Sequence, residues 1–542
     1  MVLLISHSAL GQTTERVEQT TQGTQPSPRI VASFDGLGVG FAGPHGTVTL
    51  RNPSDNTLAV GRDHIVQIVN TRMAVFTKKG ARFDTTGKVL HGAVETRTVF
   101  RDFGGPCELR NNGDAVARYD QLADRWLIVM PIFTRNPVRS DEPRVPKGGE
   151  PAALSVRGRP GQPGAAHLLF KPPLVPVDSQ GIAPAPPPRA NAASPPGDSG
   201  SYSMCYAVSA TADPLGAYFR YEFVRPLFPD YPRPAVWPDG YYVPSSTGDD
   251  VIEKHACVVE RAKMLRGQDA TEQCLVIDGV NFLNNADLDG RQLPPKGAPN
   301  IMIATGGMQL KQVMEDDGIY AWAFHVDWSN PSKTRADGPT KIGVAPYRYL
   351  CDGQLTNCVS QPGTDRTLDA QGDKMMARVV YRRIGNRESV VGVHSINTTA
   401  GGGGVRWYEL RVGAKRAVSL YQQGTYAPDS RYRWMGSPAI DALGNIGIGY
   451  SFGGVPHFAG QRFAGRRPTD PKGTLGLREA VLVEGEAAQT NTLRWEDYTQ
   501  TAVDPSDDCT IWYVGDYLRA GATNYSTRIG AFRMPGCAGR RL

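Results

Sequence analysis

Apolar residues in this chain come in short runs, many of them alternating with polar ones, and each run stops at a turn signal. His64-Ile-Val-Gln-Ile-Val69, Trp126-Leu-Ile-Val129, Asn300-Ile-Met-Ile-Ala304 and Ile446-Gly-Ile-Gly-Tyr450 show the pattern, which predicts half-buried or buried β-strands. Only Val259 to Arg266, just before Gly267, reads as a helical turn.

One grammar recurs: strand, tight Asp-rich turn, strand. It is clearest in Asp497 to Tyr513, Trp434 to Tyr450 and Asp114 to Val129, with looser copies starting at Asp55, Asp230 and Asp373. Turn centres near 61, 120, 381, 441 and 504 lie about 60 residues apart where they are neighbours, and the stretch from 238 to 381 holds one more unit around Asn300–Ala304 and Ile319–Val326. Seven such units of four strands each predict an all-β fold, a β-propeller, with seven blades fitting best and six or eight as the alternatives. A strand from about Ile30 to Phe34 would complete the last blade. A run of β-sandwiches would not repeat one hairpin at near-constant spacing.

Length and composition refine this picture. The 542 residues carry 61 Gly and 42 Pro, and 15 of those prolines crowd into about 135–200, including Pro186-Pro-Pro188. That stretch is read as a disordered insertion in a single propeller domain spanning 30–538, after a leader at 1–29. Basic and acidic residues, 59 against 53, give a net charge of +6, without the basic stripe of a nucleic-acid binder. No run approaches the length of a membrane span. A monomer is expected.

The start, Met1-Val-Leu-Leu-Ile-Ser-His-Ser-Ala-Leu-Gly11, ends in small-x-small residues but has a short apolar region and no basic start, so it is either a truncated signal peptide or an accidental likeness. Eight cysteines without any C-x-x-C pair suit disulfides, and the expected pairs are Cys107–Cys205, Cys257–Cys274, Cys351–Cys358 and Cys509–Cys537. Bridges imply an oxidising compartment, hence a secreted or periplasmic protein.

Phe34-Asp-Gly-Leu-Gly38, Val60-Gly61 with His64-Ile-Val-Gln-Ile-Val-Asn70, Gly113 to Asp120, Val236-Trp-Pro-Asp-Gly-Tyr-Tyr242, Phe324 to Trp328, Gln423 to Asp429 and Asp508 to Tyr513 resemble a group of uncharacterised bacterial secreted propeller-like proteins. The resemblance covers about 30–538 apart from the insertion. It implies a secreted fold and no established chemistry. The chain departs from the group at Ser54-Asp-Asn-Thr-Leu58, where an Asp-x-Asn-Gly run is commoner. A weaker analogy links Ser437 to Gly444 with Asp-box sialidases, but the spacing differs and no Trp follows.

In a propeller the first strand of each blade lines the central channel. Asp55, Asp114, Asp230, Asp373 and Asp497 would then ring its mouth. Crowded carboxylates raise one another's pKa or hold a cation. Asp373 and Asp497, supported by Tyr498, are candidate acid and base for cleaving a polysaccharide, whereas Ca²⁺ bound by the ring is the bracing alternative. A purely structural reading has each Asp capping its own turn. Asp114, Asp230, Tyr231, Arg406, Arg433, Trp434 and Arg494 are candidate binders of an acidic sugar, because arginine forks suit carboxylates and aromatic faces suit sugar rings. Trp and Tyr in blades also pack between sheets. Among the histidines, His325 and His394 are candidates for a channel role. No phosphate-binding, dinucleotide or nucleophile-elbow motif is present. The functional expectation is a secreted carbohydrate-active enzyme, hydrolase or lyase, acting on an acidic polysaccharide. The alternative is a non-catalytic propeller that binds glycan or protein at the cell surface.

Overall fold

The computed structural model describes residues 17–132, 154–157, 159–160, 167–168, 202–246, 254–277, 280, 282–306, 317–353 and 357–539. The signal-like start and most of the Pro-rich insertion lie outside them. The described chain is all-β, with short α-helical turns at Gly105–Leu109 and Arg261–Met264. The second stands where the sequence shows its one helical segment.

Among the described residues the strands fall into seven antiparallel meanders of four. The first comprises Thr57–Val60, His64–Val69, Arg72–Thr77 and Val89–Glu95. The second comprises Val116–Asp120, Arg125–Ile132, Tyr202–Ser209 and Ala217–Arg225. The third runs through Ala235–Trp237, Gly240–Ser246, Lys254–Val259 and Thr271–Val276, and the fourth through Asn284–Leu288, Asn300–Thr305, Gly318–His325 and Arg335–Gly343. The fifth is Val379–Ile384, Arg387–Asn397, Gly403–Val412 and Val418–Tyr426; the sixth is Tyr432–Ile440, Ile446–Gly454, His457–Arg466 and Ala480–Val483. The seventh joins Gln500–Val503, Thr510–Tyr517 and Ser526–Arg533 to Arg29–Asp35 from the other end of the chain.

Neighbouring meanders are tied together through their first strands. Thr57 Oγ1 accepts the Ala117 amide (3.3 Å), Arg118 Nε donates to Pro234 O (2.8 Å), and Asp287 Oδ1 accepts the Val236 amide (2.8 Å). Ala286 to Leu288 pair in parallel with Val379 to Tyr381. Arg382 Nη1 donates to Ile440 O (2.9 Å), Ser437 Oγ accepts the Thr501 amide (2.9 Å), and Gln500 donates to Leu58 O. The last bond returns to the first meander. Buried backbone groups at these inner strands thus find partners on the next meander.

The Asp-rich turns have a local cause. Asp441 Oδ1 accepts the amides of Leu443 (2.9 Å) and Asn445 (3.0 Å), Asp120 Oδ1 that of Leu122 (3.0 Å), and Asp504 Oδ1 that of Ser506 (2.9 Å). Each carboxylate replaces a backbone acceptor within the turn. Between meanders the apolar sheet faces interlock: Phe463 stacks on Phe532 with ring centroids 4.0 Å apart, and Trp237 meets Tyr381 edge-on at 4.8 Å. A Cβ at Gly449 would lie 2.4 Å from the Tyr513 ring, so glycine there admits the aromatic side chain.

All four expected disulfides join the expected cysteines. Three expectations need correction. Position 381 lies inside strand Val379–Ile384, and the turn follows at 385. The leader is not wholly free: Thr425 N donates to Val17 O (2.7 Å), and Glu18–Gln19 pairs with Thr425 and Tyr426. Within the insertion, Leu154–Arg157 pairs with Thr271 to Cys274, while Arg159–Pro160 and His167–Leu168 pair with Ala217–Arg225. The spacing of units is also uneven: the fourth meander ends at Gly343 and the fifth begins at Val379, and Leu350, Val359 and Leu368 between them pack with Val116 and Trp434 at the starts of first strands.

Candidate functional site

The end at which the first strands begin gathers charge that is only partly matched. Asp114 hydrogen-bonds both Asp55 and Asp230, and the carboxyls of Asp55 and Asp114 are raised well above the usual range, chiefly by burial and next by a neighbouring carboxylate, Asp497 for the former and Asp55 for the latter. Asp230 Oδ1 also accepts the Tyr231 amide (3.0 Å). Asp497 receives hydrogen bonds from Tyr231 Oη (3.2 Å), Gln371 Nε2 (3.2 Å) and Arg494. Arg494 Nε lies 2.9 Å from Asp369 Oδ2. Burial, then the Asp497 charge, pushes the Asp369 carboxyl up to about 7.

Cations and aromatic rings fill the space between these groups. The Arg233 guanidinium lies 3.7 Å from the Tyr498 ring centre, 5.2 Å from Phe282 and 5.6 Å from Tyr231. Lys374 Nζ stands 5.3 Å from the Tyr231 ring and Lys254 Nζ 4.7 Å from Phe282. Tyr498 Oη makes no hydrogen bond, nor do Arg233 Nε and Nη2, although Tyr498 is 3% and Arg233 5% exposed. Burying such groups unpaired costs free energy. Burial also raises the Tyr498 hydroxyl and, with Arg233 close by, depresses the Lys254 ammonium well below its ordinary range.

The backbone is strained at the same end. Asp55 (φ 47°), Asp114 (53°), Tyr231 (50°), Met435 (52°), Glu496 (57°) and Asp497 (62°) all adopt left-handed conformations just before or within the entry to a first strand. Non-glycine residues at positive φ cluster where the surrounding structure holds them for a purpose.

Asp114, Asp230, Tyr231, Arg494, Asp497 and Tyr498 are therefore brought together. Asp373 joins their periphery: Lys374 Nζ is 3.5 Å from its Oδ2, and neither Asp373 oxygen accepts a hydrogen bond. The carboxylate coupled to Asp497 through a shared arginine is Asp369, not Asp373. Trp434 lies in the apolar wall beside Trp495. Arg406 is held by Thr425 Oγ1 (2.6 Å) and Ala345 O (3.2 Å), away from the carboxylates. Arg433 is satisfied by Asp429 (2.9 Å) and Glu479 (2.8 Å). His394 bonds Tyr408 Oη (2.9 Å), and burial lowers its pKa to about 3. His325 faces Asp337 on the outside of the fourth meander. Arg233, Lys254, Lys374, Phe282 and Asp369 escaped the sequence reading; Arg233 and Lys374 had a signal, standing next to or within three residues of predicted Asp residues.

No protein-family model and no curated protein matches the chain. Solved structures similar to it include a protein of unknown function from Dyadobacter fermentans (8% identity, 94% of this chain and 100% of that one, TM-score 0.33). Another is a polysaccharide lyase described as an ulvan lyase (9%, 92% and 95%, TM-score 0.38). A third is an exo-beta-1,3-galactanase from Clostridium thermocellum (10%, 80% and 78%, TM-score 0.30). At such scores none of the three assigns chemistry to this chain.

Proposed function

We propose that the seven meanders are the blades of one closed β-propeller in an oxidising, extracytoplasmic compartment, and that its channel mouth cleaves an acidic polysaccharide by β-elimination. One observation carries the chemistry: a guanidinium with two unused donor atoms sits on a tyrosine whose buried hydroxyl has no partner. Arg233 would pair with the sugar carboxylate and so acidify the adjoining C–H. Lys254, its ammonium depressed, would take that proton, and the neutral Tyr498 hydroxyl would protonate the departing glycosidic oxygen as the C–O bond breaks and a C=C bond forms. The Asp369 and Asp497 carboxylates are already engaged by Arg494, which disfavours hydrolysis through that pair. With Arg233, Lys374 and Arg494 among the carboxylates, Ca²⁺ has no role in this reading.

A screen of uronate-bearing polysaccharides tests it, read by the absorbance of new unsaturated ends and by reducing ends. Tyr498→Phe is expected to slow release by about 10²–10⁴-fold, and Arg233→Met to abolish it. Equal rates in wild type and Tyr498→Phe, or reducing ends without unsaturation, overturn elimination. The burial of Tyr498 and Arg233 favours a second reading, a non-catalytic glycan- or protein-binding module; saturable binding of a polysaccharide without cleavage identifies it.

A further inference from the structure

In the third meander Cys257 and Cys274 face each other directly across two antiparallel strands, with Cα atoms 4.0 Å apart. The Arg225 guanidinium from the second meander points at this bridge: its Nη1 donates to Cys257 Sγ and to Cys274 Sγ (2.7 Å). Its Nη2 pairs with Glu272 (2.6 Å), which also accepts a hydrogen bond from Tyr206 Oη (3.0 Å). Arg225 is 3% exposed and Cys257 fully buried, while Cys274 is only half-buried. A small cavity beside the bridge is lined by Arg225, His255, Glu272 and Cys274.

A disulfide sulfur is a weak acceptor, so a buried cationic donor aimed at it is poorly used. A thiolate in the same place takes that donor as a charge-assisted bond. Hydrogen bonds between the two strands continue on both sides of the pair, from His255 opposite Val276 to Val259 opposite Glu272, so opening the bridge leaves the sheet zipped. Among the described residues no arginine hydrogen-bonds the sulfurs of Cys107–Cys205 or Cys509–Cys537.

We infer that Cys257–Cys274 is a thiol-exchange site that low-molecular-weight thiols open in the folded protein, with Arg225 stabilising the leaving sulfur. An external thiolate attacks Cys274 Sγ, on the less buried of the two cysteines; a mixed disulfide forms there, the S–S bond breaks, and its electron pair leaves as the Cys257 thiolate beside Arg225. A second external thiolate attacks the sulfur of the external thiol in that mixed disulfide, giving the oxidised small disulfide and the Cys274 thiolate. Two thiols are oxidised and one protein disulfide is reduced. A lower leaving-group pKa speeds the first step.

Differential alkylation and peptide mass spectrometry of the full chain in glutathione at neutral pH tests this. Cys257 and Cys274 should open at least about tenfold faster than Cys107–Cys205 and Cys509–Cys537. Arg225→Met should remove most of that advantage, and Arg225→Lys should retain part of it. Circular dichroism of each variant before reduction establishes that it is folded. An unchanged rate in folded Arg225→Met, or a pair that opens only when the whole protein unfolds, overturns the proposal. Should Arg225→Met not fold, the wild-type order of opening and its independence of added denaturant decide the matter.

Discussion

The set of first strands carries two buried charge clusters that use the same residue types to opposite ends. At its waist, Arg378 Nε bonds Asp287 (2.8 Å) and its Nη2 bonds Asp289 (2.8 Å), while Arg118 Nε stands 3.5 Å from Asp287. The remaining oxygens accept the Val236 and Ile440 amides, and Gln500 meets Arg118 and Leu58. The adjoining cavity, about 40 Å³, has room for only a few water molecules. At the entry end, three carboxyls share hydrogen bonds with one another, and the Tyr498 hydroxyl and part of Arg233 have no partner. A matched buried network locks strands in register, whereas a mismatched one stores free energy that a ligand can release.

This contrast breaks first at the waist. Arg378→Met leaves Asp287 and Asp289 without their shared cation, and urea unfolding should show a loss of about 3–5 kcal/mol; a loss below about 1 kcal/mol would mean the network is not a lock. At the entry end the sign reverses. Asp55→Asn keeps a side chain that tolerates left-handed backbone and removes a repelling charge, so it should stabilise the protein by about 1–2 kcal/mol at pH 8. Destabilisation comparable to Arg378→Met would equate the two ends.

Acidity sharpens the comparison further. Burial raises the Asp369 carboxyl to about 7 and that of Asp516, behind Asn56, to about 8. A carboxyl raised on folding favours the folded state fully below its unfolded pKa of about 4 and loses that contribution as pH rises through the folded value. The thermal midpoint should therefore fall between about pH 4 and 8. Asp239 and Asp441 at the turns, each raised to about 6 by burial, add to the slope, so the measurement is the difference from wild type: Asp516→Asn should flatten it. An unchanged slope would show that Asp516 does not titrate in the folded protein. The smallest effect is expected at Asp114, which hydrogen-bonds Asp230 as well as Asp55. Asp114→Asn should stabilise by about half as much as Asp55→Asn in the same unfolding assay, because its bond to Asp230 offsets part of the repulsion; a larger gain would place the repulsion at Asp114.

Much of the architecture was legible because it is written locally. Alternation in His64–Val69 and Ile446–Gly454, the Asx turns at Asp120, Asp441 and Asp504, and the single turn at Arg261–Met264 each depend on residues a few positions apart. The strand at Arg29–Asp35 was also readable, since its pairing completes a three-stranded unit that needs an edge. The same repeat puts Asp55, Asp114, Asp230 and Asp497 each a few residues ahead of a first strand.

What escaped depends on side chains converging from distant parts of the chain. Asp369 meets Arg494 because Leu368 and Ala370 pack with Trp495 and Tyr498 at the entry end, and nothing in the local sequence announces that contact. Arg406 and Arg433 had the right chemistry for an acidic sugar, yet each found internal partners first.

Local periodicity and turn chemistry, acting over a few residues, set the strands and turns of each meander, whereas the Cys107–Cys205 bridge joins residues 98 positions apart. The meeting of Arg233 with Tyr498 across 265 positions, and the choice of which carboxylates are paired and which repel, came only with tertiary packing. Strand pattern follows from short-range sterics and burial, but charge matching between meanders depends on distances that exist only once they have packed together.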